Sequence, residues 1–124
     1  MVREICLDSD VIIQLLRNDS NTQGVLNSFD ANYSITVINV FELWSGRVKN
    51  ETIYETISSF DVKEFDKPSS FLAGDIRKKL RASGEEIDIR DIFVAAICIS
   101  NDIELFTYNK KHFERLRKFG LKLV

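Results

Sequence analysis

The sequence predicts an α/β fold, with a mainly parallel central sheet covered by helices on both faces. Three observations lead there. Short apolar runs without breakers alternate with longer segments whose apolar residues recur at helical spacing. Hairpin signals are few, so successive strands connect through helices and run parallel. One proline and five glycines in 124 residues leave no linker and no low-complexity run, so residues 1–124 read as a single domain with one sizeable core.

Val2–Leu7 is short and unbroken, the pattern of a buried strand. Ser9 caps a helix that runs through Val11, Ile12, Leu15 and Leu16 and ends near Asn18. A second helix covers Ser20–Phe29 and a strand Tyr33–Thr36. The next helix sets Val37, Val40, Phe41, Trp44 and Val48 on one stripe, the stripe expected to face the core or a dimer partner. Glu51–Phe60 is helical, Val62–Phe65 a short strand, and Ser69–Ala82 a helix with an exposed basic face. Asp88 opens the helix Ile89–Ser100, whose middle is apolar on every side and is therefore expected to be buried. Ile103–Thr107 is a strand, Lys110–Phe119 a helix with a charged face, and Leu121–Val124 a closing strand.

An apolar fraction of 44% and a charged fraction of 29% are those of an ordinary soluble globular chain. Arg3 and Glu4 interrupt any signal-peptide stretch, and the longest apolar run, Ile92–Ile99, is too short to span a bilayer. Cys6 and Cys98 form no ligand-spaced cluster; both sit in apolar runs, as buried thiols in a reducing cytoplasm would. The net charge of −2 argues against indiscriminate coating of nucleic acid and leaves room for a local basic patch.

"CLDSDVII" raises the functional question, because an apolar strand runs straight into Asp8-Ser9-Asp10. Parallel α/β folds bind ligands beyond the C-terminal ends of their strands, which is where Asp8 falls. Glu42, Asp91 and Asn109 follow strands or open helices at the same edge. Taken singly, each has a structural explanation. Asp8, Asp88 and Asn109 suit helix N-caps, Asp91 suits the positive end of a helix dipole, and Glu42 suits a solvated helix face about 140° from Val37. Taken together they are costly, since two carboxylates about 4 Å apart repel by ~4 kcal/mol at an effective dielectric near 20. Protons or cations in the gap relieve that repulsion, and a hard divalent ion suits all-oxygen ligands.

Four ordered blocks resemble the PIN-domain ribonucleases, and among them the short VapC-type toxins of toxin–antitoxin pairs. "CLDSDVII" is similar to the family's opening hydrophobic-Asp-Ser/Thr segment and carries Asp8 and Ser9. "TVINVFELWSG" is similar to the second block, with Glu42 and Gly46; "DIFVAAICIS" to the third, with Asp91 preferred over Asp88; "LFTYNKKHF" to the fourth, with Thr107, Asn109 and Phe113. The resemblance implies a PIN-like three-layer sandwich and a Mg²⁺- or Mn²⁺-dependent endoribonuclease. It makes Asp8, Glu42 and Asp91 the metal carboxylates and Asn109 the fourth polar residue, contributing a carbonyl oxygen or holding a water. Several relatives carry Asp there, so the neutral Asn109 lowers the negative charge of the site. Asp10 either supports the water shell or favours the first turn of its helix. The family also implies a homodimer and a cognate antitoxin whose tail fills the cleft.

Two basic groups, Arg77/Lys78/Lys79/Arg81 and the six Lys and Arg from Lys110 onward, are either solvated helix faces or phosphate contacts for RNA. Lys110 and Lys111, directly after Asn109, are the better candidates for RNA binding. His112, the only histidine, has no second imidazole with which to run a metal-free ribonuclease mechanism. Two other classes compete. A haloacid-dehalogenase-type phosphatase would use Asp8 and Asp10 of "DSDV", and a receiver-like signalling module would use Asp66 as phospho-acceptor.

Overall fold

Ile5, Cys6 and Leu7 are wholly buried because the strand that carries them lies at the centre of the sheet, with neighbours on both edges. The computed structural model describes residues 2–46 and 51–124. Its elements are β1 (Arg3–Leu7), α1 (Ser9–Leu16), α2 (Ser20–Ser28), β2 (Ala31–Thr36), α3 (Val37–Ser45), α4 (Ile53–Ser58), β3 (Asp61–Lys63), α5 (Lys67–Ala82), α6 (Ile89–Ser100), β4 (Glu104–Phe106), α7 (Lys110–Glu114), a 3₁₀ turn (Arg117–Phe119) and β5 (Lys122–Leu123). The strands order as β3-β2-β1-β4-β5, and every pairing is parallel.

Alternation along the strands divides the core between two layers. Ile5, Leu7, Ile35 and Phe106 pack with Val11, Ile12 and Leu26 on one face. Cys6 and Leu105 pack with Ala73, Ile76 and Leu80 of α5 and with Val94, Ala95 and Cys98 of α6 on the other. The three-layer α/β sandwich expected from the sequence is therefore the one observed. Both cysteines are free and buried.

Local chemistry sets most boundaries. Asp66 Oδ1 accepts from Ser69 N at 3.0 Å and Pro68 stands in the first turn, so α5 begins two residues before the expected Ser69. That cap also consumes Asp66, which removes the receiver reading. The cap of α1 is Asp8, one residue earlier than expected, because its Oδ1 accepts from Ser9 N at 2.9 Å while the Ser9 hydroxyl is engaged elsewhere. The expected helix Lys110–Phe119 is instead α7 followed by the 3₁₀ turn, which ends at Gly120 with φ 108°.

The largest departure is α3. Of the stripe expected to face the core or a dimer partner, Val40 packs partly against the core, while Phe41 (61% exposed) and Trp44 (66%) turn away from it and Asn39 and Leu43 are buried. Val48, assigned to the same stripe, lies outside the described residues. On a helical wheel the buried direction stands about 130° from the apolar stripe. The rotation follows from hydrogen bonding. Asn39 Oδ1 accepts from Thr36 N (3.0 Å) and Thr36 Oγ1 (2.8 Å), and Thr36 Oγ1 accepts from Asn39 N (3.2 Å), a reciprocal cap that fixes the first turn.

Candidate active site

β1 sits where the sheet changes direction, with β2 on one side and β4 on the other. Such a switch point leaves a crevice beyond the strand C-termini. Asp8 follows β1 and Thr107 follows β4, so register alone brings them together: Leu7 pairs with Phe106, and Asp8 N donates to Phe106 O at 2.9 Å. Thr107 Oγ1 then donates to Asp8 Oδ2 at 2.8 Å. Asp8 Oδ1 accepts from Ser9 N and, at 3.3 Å, from Asn39 Nδ2. Asn39 Nδ2 also reaches Ser9 Oγ at 3.0 Å, and Ser9 Oγ donates to Glu42 Oε1 at 3.0 Å. One connected network therefore runs from Thr107 through Asp8, Asn39 and Ser9 to Glu42.

Asp10, on the first turn of α1, accepts from Tyr108 N at 3.1 Å through Oδ2, while its Oδ1 is buried with no hydrogen-bond partner. Asp91 projects from the first turn of α6, and the His112 imidazole stands 3.7 Å from its Oδ2. Asp88 is spent on its own helix: it accepts from Arg90 N at 2.9 Å and pairs with the Arg90 guanidinium, which also lies 3.8 Å from Glu42 Oε2.

The electrostatics mark these acids as one group. Burial raises the pKa of Asp8 against the hydrogen bonds from Thr107, Ser9 and Asn39 that favour its anion. Burial and then the Asp8 charge raise Asp10. Glu42 is raised by burial and by Asp8, with the Ser9 hydroxyl and Arg90 opposing. Asp91 is pushed up to about 6, first by burial, then by repulsion from Asp8, Asp88 and Glu42, with His112 opposing. Asp91 thus feels the charges of Asp8 and Glu42, and Glu42 and Asp10 feel that of Asp8.

The donor set suits a hard divalent cation, being all oxygen, crowded with negative charge and bearing a buried carboxylate oxygen, Asp10 Oδ1, without a partner. Among the described residues, no three Asp, Glu, His or Cys side chains converge tightly enough to clasp an ion between them. The two facts agree for an ion such as Mg²⁺, which uses one or two carboxylates and keeps several waters.

Asn109 enters the network through its backbone, whose N–H donates to Thr107 Oγ1 at 3.0 Å; its side chain does not cap α7 and makes no hydrogen bond to another described residue. In the C-terminal basic group, Lys118 pairs with Glu85, Arg117 with Glu114 and Lys122 with Asp102. Lys110 and Lys111 are exposed, with no ion-pair partner among the described residues. A cleft of about 500 Å³, lined by Arg77, Arg81, Glu85 and Ile89 among others, lies at the α5–α6 turn and contains none of the carboxylates of the network. Asn39, Arg90 and Tyr108 went unrecognised in the sequence. For Asn39 the legible signal is a carboxamide three residues after Thr36, the spacing of a reciprocal cap.

This sheet and edge are those of a nuclease family. The PIN domain pattern matches residues 5–119, and the chain belongs to the PIN domain family. Among its relatives, ribonuclease VapC3 of Methanocaldococcus jannaschii is 39% identical over 92 residues, covering 73% of this chain and 94% of that protein. Ribonuclease VapC10 of Mycobacterium tuberculosis is 30% identical over 113 residues, 88% of this chain and 85% of that protein. The fold is shared with VapBC2 of Rickettsia felis bound to a promoter DNA fragment (TM-score 0.82, 21% identity, 98% and 97% coverage). It is also shared with DNA-bound VapBC of Salmonella typhimurium (TM-score 0.79, 23% identity, 100% and 98% coverage). Membership in this family displaces the phosphatase reading of Asp8 and Asp10.

Proposed function

We propose that the chain is a divalent-metal-dependent endoribonuclease, the toxin of a toxin–antitoxin pair, that cleaves RNA phosphodiester bonds. The observation that carries this reading is the hydrogen-bonded line from Thr107 through Asp8, Asn39 and Ser9 to Glu42 at the switch point of a PIN-domain sheet, with Asp91 raised by the charges of Asp8 and Glu42. Support comes from relatives named as ribonucleases and from neighbours in fold that are VapBC assemblies.

Asp8, Glu42 and Asp91 would hold Mg²⁺ or Mn²⁺, one or two of them directly and the rest through its waters, with Asp10 and Asn109 beside them. Bound there, a divalent ion would offset the charge that builds on the phosphodiester and would make a water nucleophilic at neutral pH. Thr107, Ser9 and Asn39 keep the Asp8 carboxylate oriented, so little reorganisation is needed when substrate arrives. Lys110 and Lys111 neutralise phosphates flanking the scissile bond, which an acidic centre otherwise repels.

The partners are RNA, a second copy of the chain, and an antitoxin whose tail covers the carboxylates. No helix among the described residues is long and apolar enough to cross a membrane, and we assign the protein to the cytoplasm, where its substrate is. The test is incubation of purified protein with assorted RNAs in Mg²⁺ or Mn²⁺, then with chelator, alongside Asp8→Asn. Metal-dependent internal cleavage that the variant lacks is expected. Full activity in excess EDTA, or in Asp8→Asn, defeats the mechanism.

A further inference from the structure

Tyr108 stands between Thr107 and Asn109, and its backbone N–H is bonded to Asp10 Oδ2 at 3.1 Å, so the residue is tied directly to the acidic network. Its side chain reaches α2. Thr22 gives its single hydroxyl proton to Asp19 Oδ2 (2.7 Å), so in the 2.6 Å contact between the two hydroxyls Tyr108 is the donor. Phe106 meets the ring in a T-shaped contact, with centroids 5.6 Å apart and planes at 79°. The backbone, the hydroxyl and one ring contact thus fix the side chain, and still Tyr108 is 50% exposed.

A rigid, half-open aromatic ring loses little side-chain entropy when a second ring covers it. The next two residues after Asn109, Lys110 and Lys111, are exposed cations without ion-pair partners among the described residues, and they stand close along the chain to Tyr108, where a polyanion would be drawn. We propose that Tyr108 is a stacking platform for an unpaired RNA base beside the scissile phosphate. The proposal rests on the endoribonuclease reading and adds a preference: a base within a duplex is already covered by its neighbours, whereas a base in a loop or single strand offers a free face. Because every base has such a face, the platform selects for strand state more than for sequence.

The test uses full-length protein in the Asp8→Asn background, which holds RNA uncut, and titrates fluorescein-labelled single-stranded RNA with and without Tyr108→Leu. Affinity is expected to fall about 10-fold, within the range for loss of one base–aromatic stack, and Tyr108→Phe is expected to recover most of it. In the cleaving protein the same substitution raises KM and spares kcat. An RNA with an abasic site at the cleavage position binds the Tyr108 protein more weakly than intact RNA and binds the Leu variant equally well. This arm keeps the proposal open to refutation even if the Leu variant folds poorly, because equal affinity of the Tyr108 protein for both RNAs overturns it. Cleavage by the parent protein with KM unchanged in Tyr108→Leu overturns the platform and leaves the nuclease; absence of RNA binding and cleavage in the parent overturns both.

Discussion

Replacing Asp91 with Asn should stabilise the metal-free protein at neutral pH and do nothing in acid. In the folded chain the Asp91 carboxyl titrates at about 6, against an ordinary 3.8, because it is partly buried and faces Asp8, Asp88 and Glu42. The folded state therefore holds a proton that the unfolded state releases between those two values. Stability from this group is fully present below about pH 4 and is lost as pH rises through about 6. At about 1.4 kcal/mol per pH unit, ionising Asp91 costs the fold up to about 3 kcal/mol at pH 7.5. The side chain is 24% exposed, so water screens part of the repulsion and roughly 1.5–2 kcal/mol is the expected gain for Asp91→Asn. Urea unfolding in EDTA reads this directly, as a midpoint raised by about 1 M at pH 7.5 given the usual slope for a small domain. The gap should close near pH 4. A variant no more stable than the parent at pH 7.5, or a gap that does not change with pH, refutes the claim that these acids repel one another across a shared space.

Asp8, Asp10 and Glu42 are raised in the same direction, so the parent protein in EDTA should lose stability from pH 5 to pH 7.5, and Mg²⁺ should restore it in a thermal melt. Asn39→Leu removes a buried cap and a hydrogen bond to a carboxylate, about 2–4 kcal/mol together; a urea midpoint within error of the parent's would show that the network is dispensable. Lys110→Ala and Lys111→Ala should each flatten the dependence of RNA affinity on salt, by about 0.7 in slope for every phosphate no longer neutralised, and parallel salt curves would remove these lysines from the interface.

Much of the fold was legible because its signals are local. The helix Ile89–Ser100 has a buried middle that is apolar on every side and starts at an Asp cap, and both of its ends are found as the sequence sets them. The α3 helix was legible as a helix but not in its orientation. Counting apolar residues points Val37, Phe41 and Trp44 inward, whereas Asn39 is buried because it satisfies Thr36, Ser9 and Asp8 at once. A periodicity argument gives every polar residue to solvent and so cannot see a hydrogen-bond network that outweighs apolar burial.

By itself the sequence determined which segments become strands and helices, with starts within two residues of those observed, that the sheet is mainly parallel, and which acids stand near strand ends and helix starts, since capping, periodicity and chain connectivity act within a few residues. Only the tertiary structure decided that Thr107 secures Asp8, that Asn39 ties Asp8 to Ser9, and that Tyr108 is held beside Asp10 with its ring open to water. Those contacts join residues 30 to 99 positions apart, and they exist because parallel pairing of β1 with β4 and with β2 aligns strand ends that the chain itself keeps distant.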